Sequence, residues 1–195
     1  MTLEFNAERH EYRVHGRIIP SVTQVLKPLN DLSHIPAHIL NAKAELGTEV
    51  HKACELINEH GGVDYGSLTE RAAPYVEQYE RFLAQSGFEP VLSERRVYSA
   101  KYGFAGTLDL WGYLHGKAAL IDLKNTVTIA PVCGPQSAAY ELALAEQDGL
   151  ETEERYVLQL KPDDYRLVPM NAADDRRTFL AALHIHFWIN RGNHR

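Results

Sequence analysis

Cysteine is scarce in this chain: Cys54 and Cys133 are the two among 195 residues. Two thiols build neither a disulfide framework nor a four-cysteine metal site. The expected setting is therefore reducing and cytoplasmic. Long apolar runs are missing too. The longest, AALHIHFWI over 181–189, falls far short of the roughly 20 residues that a membrane-spanning helix needs. The opening MTLEFNAERH has no apolar core, so no signal peptide and no membrane association are expected. Positive charge is in deficit, with 20 Lys+Arg against 26 Asp+Glu and a net charge of −6. Nothing global marks a nucleic-acid binder, so any such binding must rest on local groups. P-loop, GxGxxG and GxSxG patterns do not occur. Neither does a fixed-period repeat or a low-complexity segment.

What is present is an ordinary globular composition, 45% hydrophobic and 24% charged. The length suits a single domain over residues 1–195. Such a chain buries roughly 70% of its extended surface and needs no covalent staple. Residues 3–19 read as short strands around His15-Gly16. Ser21 then caps a short helix over 22–26, and 27–36 is loop. A helix is expected over 37–60, with Leu46, Val50, Cys54 (or Ala53) and Ile57 on its apolar stripe and Gly61-Gly62 as its stop. Gly47 is a candidate break into two helices. After a loop at 62–67 a second helix runs from 68 to 86, with Ala72, Val76, Tyr79 and Leu83 on one face.

Three strands follow, over 89–99, 104–114 and 117–124. Pro135 sits in the first turn of the next helix, which runs to Gln147. Strands at 154–160 and 165–169 precede a last helix over 173–190, capped by Asn171. The expected fold is an α/β sandwich, with helices flanking a central mixed sheet.

The chemistry concentrates in GFAGTLDLWGYLHGKAALIDLK, residues 103–124. A two-residue loop at His115-Gly116 pairs Leu114 with Lys117 and Leu110 with Ile121. One step further, Asp109 faces Asp122. Directly opposed residues have Cβ atoms about 4.5–5.5 Å apart, and two carboxylates that close repel inside an apolar sheet. A cation between them removes the repulsion, and oxygen ligands suit Mg²⁺ or Mn²⁺. Lys124 lies two residues beyond Asp122, on the same face. Leu108, Leu110, Ile121 and Leu123 are expected on the opposite face. Taken alone, the pattern also fits two surface aspartates at strand ends with a lysine capping an edge.

Two helical pairs accompany the hairpin. His51 and Glu55 lie one turn apart, as do Gln136 and Tyr140. The set runs Gly47 to His51 (GxxxH), Gly106 to Asp109 (GxxD), Asp122 to Lys124 (DxK) and Gln136 to Tyr140 (QxxxY). In that order it resembles the RecB-like, phage-type exonuclease branch of the PD-(D/E)XK nucleases. The segment PSVTQVL, 20–26, is similar to the same branch. The resemblance spans about residues 20–145.

It implies a restriction-endonuclease-like αβββαβ core and a Mg²⁺- or Mn²⁺-dependent deoxyribonuclease, an exonuclease of recombination or repair. Asp109, Asp122 and the Leu123 carbonyl would hold the metal, with His51 as a further ligand. Lys124 would polarise the attacking water, completing the catalytic set Asp109, Asp122 and Lys124. Gln136 and Tyr140 would position the DNA strand. Glu55 and Glu94 are additional acidic neighbours, the latter on the strand before the hairpin. DNA is the implied partner, with a single-strand annealing protein and further copies of the chain as candidate partners. The implied location is cytoplasmic, in a host's cytoplasm if phage-encoded.

Two features depart from the pattern: Asp122 stands where many relatives carry Glu, and Asn125-Thr126 follows the lysine. Two cysteines exclude the iron–sulfur sub-branch, so no cluster is expected. A non-catalytic DNA-binding or assembly factor, and a metal-dependent hydrolase of RNA or nucleotides, are the competing functions.

Three weaker signals remain. His10 and His15 come near the HExxH zinc pattern, but the spacing is one too long and the context strand-like. His184 and His186 point to different helix faces. Arg95-Arg96 and Arg176-Arg177 are candidate phosphate contacts on an otherwise acidic chain.

Overall fold

Proline and serine at 20–21 set the entry to the domain. The computed structural model describes residues 3–7 and 9–191. A small antiparallel sheet comes first, built from β1 (Leu3–Asn6), β2 (Glu11–Val14) and β3 (Arg17–Ile19). Helix α1 (Val22–Leu26) follows under a full capping box. Ser21 Oγ accepts from the Gln24 N–H at 3.1 Å, and Gln24 Oε1 accepts from the Ser21 N–H at 2.9 Å. Pro20 O accepts from the Ala105 N–H at 3.0 Å. The PSVTQVL segment is thereby tied to the main sheet, and Val22, Val25 and Leu26 are buried.

The remaining elements are α2 (Ala37–His60), α3 (Ala73–Ser86), β4 (Phe88–Ser99), β5 (Phe104–Leu114), β6 (Lys117–Lys124), α4 (Cys133–Asp148), β7 (Glu154–Leu160), β8 (Tyr165–Pro169) and α5 (Asp175–Ile189). The main sheet has the order β4-β5-β6-β7-β8 and is antiparallel except for the parallel β6–β7 pair. Helix α4 supplies the crossover that a parallel pair requires. From α3 to β7 the order is αβββαβ, as expected. One apolar cluster joins Val50, Cys54 and Ile57 of α2 and Val76, Tyr79 and Phe82 of α3 to one sheet face. A second joins α1, α4 and α5 to the other face through Val22, Ala139, Leu144 and Phe179. The sheet is thus buried on both sides, in three layers. Among the described residues no helix is long and apolar enough to cross a membrane.

Several expectations need correction. Helix α2 runs unbroken through Gly47, where an added Cβ would meet only Asn125 Oδ1, at 3.6 Å. Helix α3 begins at Ala73 rather than Leu68. Thr69 gives its N–H and hydroxyl to the Glu49 carboxylate, at 2.6 and 2.8 Å, which ties that stretch to α2 as a turn. Phe82, not Leu83, completes its buried face. Helix α4 starts at Cys133 and so keeps Pro135 in its first turn, as expected. Asp174, not Asn171, precedes α5; the Asn171 side chain instead accepts the Arg155 N–H, at 2.8 Å.

The hairpin register is as expected: Leu114 pairs with Lys117, and Leu110 with Ile121. His15 and His115 both lie at positive φ, 50° and 51°, each followed by a glycine at positive φ. That combination is the backbone of a type I′ turn. The expected common face for Leu108, Leu110, Ile121 and Leu123 does not hold. Leu110, Ile121 and Leu123 pack toward α2 and α3, whereas Leu108 packs toward α4 and α5. Side-chain alternation in β5 therefore breaks between Leu108 and Leu110, at Asp109. The neighbouring strand is distorted at the same level. Glu94 adopts φ 47° between the pairs Ser93–Leu110 and Arg95–Leu108.

Candidate metal centre and active-site cavity

The β5–β6 ladder reaches Leu110–Ile121 and stops one step short of Asp109 and Asp122. Beyond it Asp109 takes the place of backbone: its Oδ2 accepts the Leu123 N–H at 2.6 Å. The strands part there, and a cavity of about 660 Å³ opens between α2, the small sheet, β4, β5 and α4. His51, Glu55, Glu94, Asp109, Lys124, Gln136 and Tyr140 all line it.

These side chains arrive from five elements: α2, β4, β5, β6 and α4. The α2 face that buries Val50, Ala53 and Cys54 carries His51 at its border. His51 Nδ1 lies 3.2 Å from Glu94 Oε1 and 3.5 Å from Asp109 Oδ1. One donor atom each of His51, Glu94 and Asp109 falls within 4.8 Å of the others. The left-handed backbone at Glu94 accompanies this approach; such a conformation is uncommon for a residue with a Cβ outside a turn. From β6 comes Asp122, 1% exposed, whose Oδ2 is 2.6 Å from Lys124 Nζ. That ion pair engages Oδ2, while Asp122 Oδ1 has no hydrogen-bond partner among the described residues.

On α4, Gln136 Nε2 donates to Tyr140 Oη at 3.2 Å. The Tyr140 ring lies against Gly106, where an added Cβ would stand 2.6 Å from Cε1. Glu55 is engaged by Lys52, Nζ to Oε2 2.5 Å. Leu123 is buried and contributes its N–H to Asp109.

Electrostatics follow from packing. Burial works against a charged His51, but the Asp109 and Glu94 carboxylates outweigh it and push the pKa up to about 9. Burial raises Asp109, against the pull of His51 and Lys124. Asp122 is raised by burial and by the Asp109 charge, with Lys124 opposing. Burial works against the Lys124 charge, but Asp122 and Asp109 dominate and raise its pKa, so the ammonium stays charged.

The donors fit a divalent ion. Carboxylates are ligands for hard divalent ions and an imidazole for borderline ones, so the mixed set suits a divalent cation. Buried carboxylate oxygens without donors are costly, and Asp122 carries one, Oδ1, beside the His51–Glu94–Asp109 group, while its Oδ2 is met by the Lys124 ammonium. Glu94, read from sequence as a neighbour, stands as close to His51 as Asp109 does. Sequence reading passed over part of the cavity wall: Phe5, His10, Tyr12 and Thr107 also line it. The one signal there was His10, which reading against a zinc pattern set aside.

No protein-family model matches the chain, and no curated protein sequence does. Among solved structures the chain is similar to an alkaline exonuclease (LHK-Exo) from Laribacter hongkongensis. That likeness has 14% identity and a TM-score of 0.38, covering 89% of this chain and 92% of that one. It is also similar to SSO0001, with 13% identity and a TM-score of 0.36, covering 75% of each chain.

Proposed function

We propose that the chain is a divalent-metal-dependent nuclease that hydrolyses DNA phosphodiester bonds, acting as an exonuclease in recombination or repair. The observation that carries this reading is one cavity holding the His51–Glu94–Asp109 group, with Lys124 on its wall and the buried Asp122 behind it. His51, Glu94 and Asp109 would hold the ion, with Asp122 and the Leu123 carbonyl as the remaining donors. When bound, such an ion acts as a Lewis acid and eases deprotonation of water.

The chain's own groups do the rest. Hydrolysis adds a water oxygen to phosphorus and expels the sugar oxygen, while negative charge grows on the phosphate. Lys124 keeps its proton, so it serves as a fixed positive charge and donor toward that growing charge rather than as a base. Asp122 holds the ammonium in place. Gln136 and Tyr140, joined by their hydrogen bond, form the α4 wall against which the strand is positioned. A non-catalytic binding factor has no use for a buried aspartate one of whose oxygens, Oδ1, is left without a donor among the described residues, which weakens the fold.

The test is incubation of end-labelled linear duplex, circular duplex and RNA with Mg²⁺ or Mn²⁺. Progressive loss of the linear DNA, with circles and RNA spared, is expected. Binding of DNA without cleavage under any divalent ion would replace this reading with the non-catalytic one.

A further inference from the structure

The cavity wall opposite α4 holds a cation that the reading above does not use. Arg95 is bound to the Asp148 carboxylate through contacts of 2.9–3.1 Å. Its neighbour Arg96 is exposed, faces the cavity and has no ion-pair partner among the described residues. The guanidinium instead lies over the Phe5 ring, with Cζ 4.9 Å from the centroid. Phe5 is backed by Tyr12, at 4.7 Å between ring centres and 37° between planes. Tyr12 is buried and fixed through its hydroxyl to Thr107 Oγ1, 2.8 Å away. Thr107 is in turn the register partner of Arg96.

This is a layered support of Tyr12, Phe5 and Arg96. It restrains a long side chain without neutralising it. A guanidinium resting on an aromatic face keeps its N–H edges free, and those edges match a phosphate bidentately. Its position is also specific. Arg96 is two residues from Glu94 along β4 and lines the same cavity as His51, Asp109 and Lys124.

We propose that Arg96, supported over the Phe5 ring, is a phosphate anchor that grips the nucleic-acid strand next to the scissile phosphodiester. Strands β1 and β2 of the small sheet carry Phe5 and Tyr12. The assignment rests on the nuclease reading for the identity of the polyanion.

The experiment is fluorescence anisotropy of a labelled single-stranded oligonucleotide in Ca²⁺, across a salt series, with the full chain and its variants. Cleavage in Mg²⁺ is measured in parallel. Arg96→Ala should weaken binding about tenfold and reduce the slope of log affinity against log salt by about 0.7, the value of one phosphate contact on a single strand. Arg96→Lys should keep the slope but lose affinity, because an ammonium makes no planar fork. Phe5→Leu should do the same, since the charge stays while its support goes. Lys101→Ala, which removes one surface charge outside the cavity, should leave affinity and slope alone.

The proposal falls if Arg96→Ala keeps the parental slope, or if Lys101→Ala lowers it equally. If Arg96→Ala fails to fold, Arg96→Lys and Phe5→Leu decide, and parental affinity in both overturns the proposal. A parent chain that neither binds nor cleaves DNA overturns the nuclease reading itself, a result distinct from a DNA-cleaving parent whose Arg96 variants are unaffected.

Discussion

Gly106 offers a substitution whose effect can be worked out before it is made. An added methyl would lie 2.6 Å from Tyr140 Cε1 and 3.3 Å from both Tyr140 Cδ1 and Val22 Cγ2. Carbon atoms are most favourably separated by about 3.5–4.0 Å, so the ring must retreat by about 1 Å. It has little room to do so, because Tyr140 is buried among Val22, Ala143, Leu144 and Phe179. Forcing a methyl into such a core costs about 1–3 kcal/mol. At about 2–4 °C per kcal/mol for a domain of this size, Gly106→Ala should melt about 2–12 °C below the parent. The catalytic consequence should be larger. Tyr140 carries Gln136 with it through their hydrogen bond, and a 1 Å displacement of positioning groups can cost about 10² in rate. Divalent-ion affinity should not change, because neither residue is a ligand. Thermal and urea denaturation, ion titration and single-turnover cleavage read these quantities. The double variant Gly106→Ala, Tyr140→Ala removes the clash, so its destabilisation should be less than the sum of the singles. Additivity within about 0.5 kcal/mol, or a Gly106→Ala protein with parental melting and cleavage, would refute the steric argument.

Two further predictions concern the ion. A divalent ion at 100 times its dissociation constant should stabilise the fold by about 2.7 kcal/mol, raising the melting temperature by about 5–11 °C. Chelator should reverse the shift and Asp109→Asn should abolish it; scanning calorimetry showing no shift in the parent would contradict the metal centre. The second prediction is a pH dependence. His51 must be neutral to ligate, and its pKa stands at about 9 in the ion-free fold, so affinity should fall as pH drops from 9 to 7; a flat calorimetric profile over that range would remove His51 from the ligand set. The same shift has a sign for stability. The fold holds the His51 proton more tightly than the unfolded chain does. Ion-free protein should therefore have this contribution in full below about pH 6.5 and lose it as pH rises through about 9.

Much of the architecture could be read from local signals. The loop at His115-Gly116 sets the hairpin register, and the capping box at Ser21 and Gln24 sets the start of α1. Element order follows from periodicity and from Gly61, Gly87 and Gly149 as helix stops. What local signals could not carry was the departure from regularity. Strict alternation places Asp109 on a face with Asp122 and opposite Leu108. The strands instead part at that level, and Asp109 bonds the Leu123 N–H. The kink at Glu94 arises on another strand, where a positive φ in a glutamate has no sequence mark. Its approach to His51 is therefore invisible in the chain. The Tyr12–Phe5–Arg96 support was out of reach for the same reason: it joins residues 91 positions apart through the packing of one sheet on another.

The central claim is that Lys124 acts on the reacting phosphate and water while the carboxylates hold the ion, and one comparison separates those roles. Lys124→Ala, Asp109→Asn and Asp122→Asn are measured for ion affinity by titration, and for DNA binding and single-turnover cleavage at one fixed Mg²⁺ concentration that saturates the parent. The aspartate variants should lose ion affinity and cleavage together. Lys124→Ala removes a positive charge beside the ion, so ion and DNA binding should persist, whereas cleavage should fall by about 10²–10³. Cleavage by Lys124→Ala at the parental rate would contradict the account.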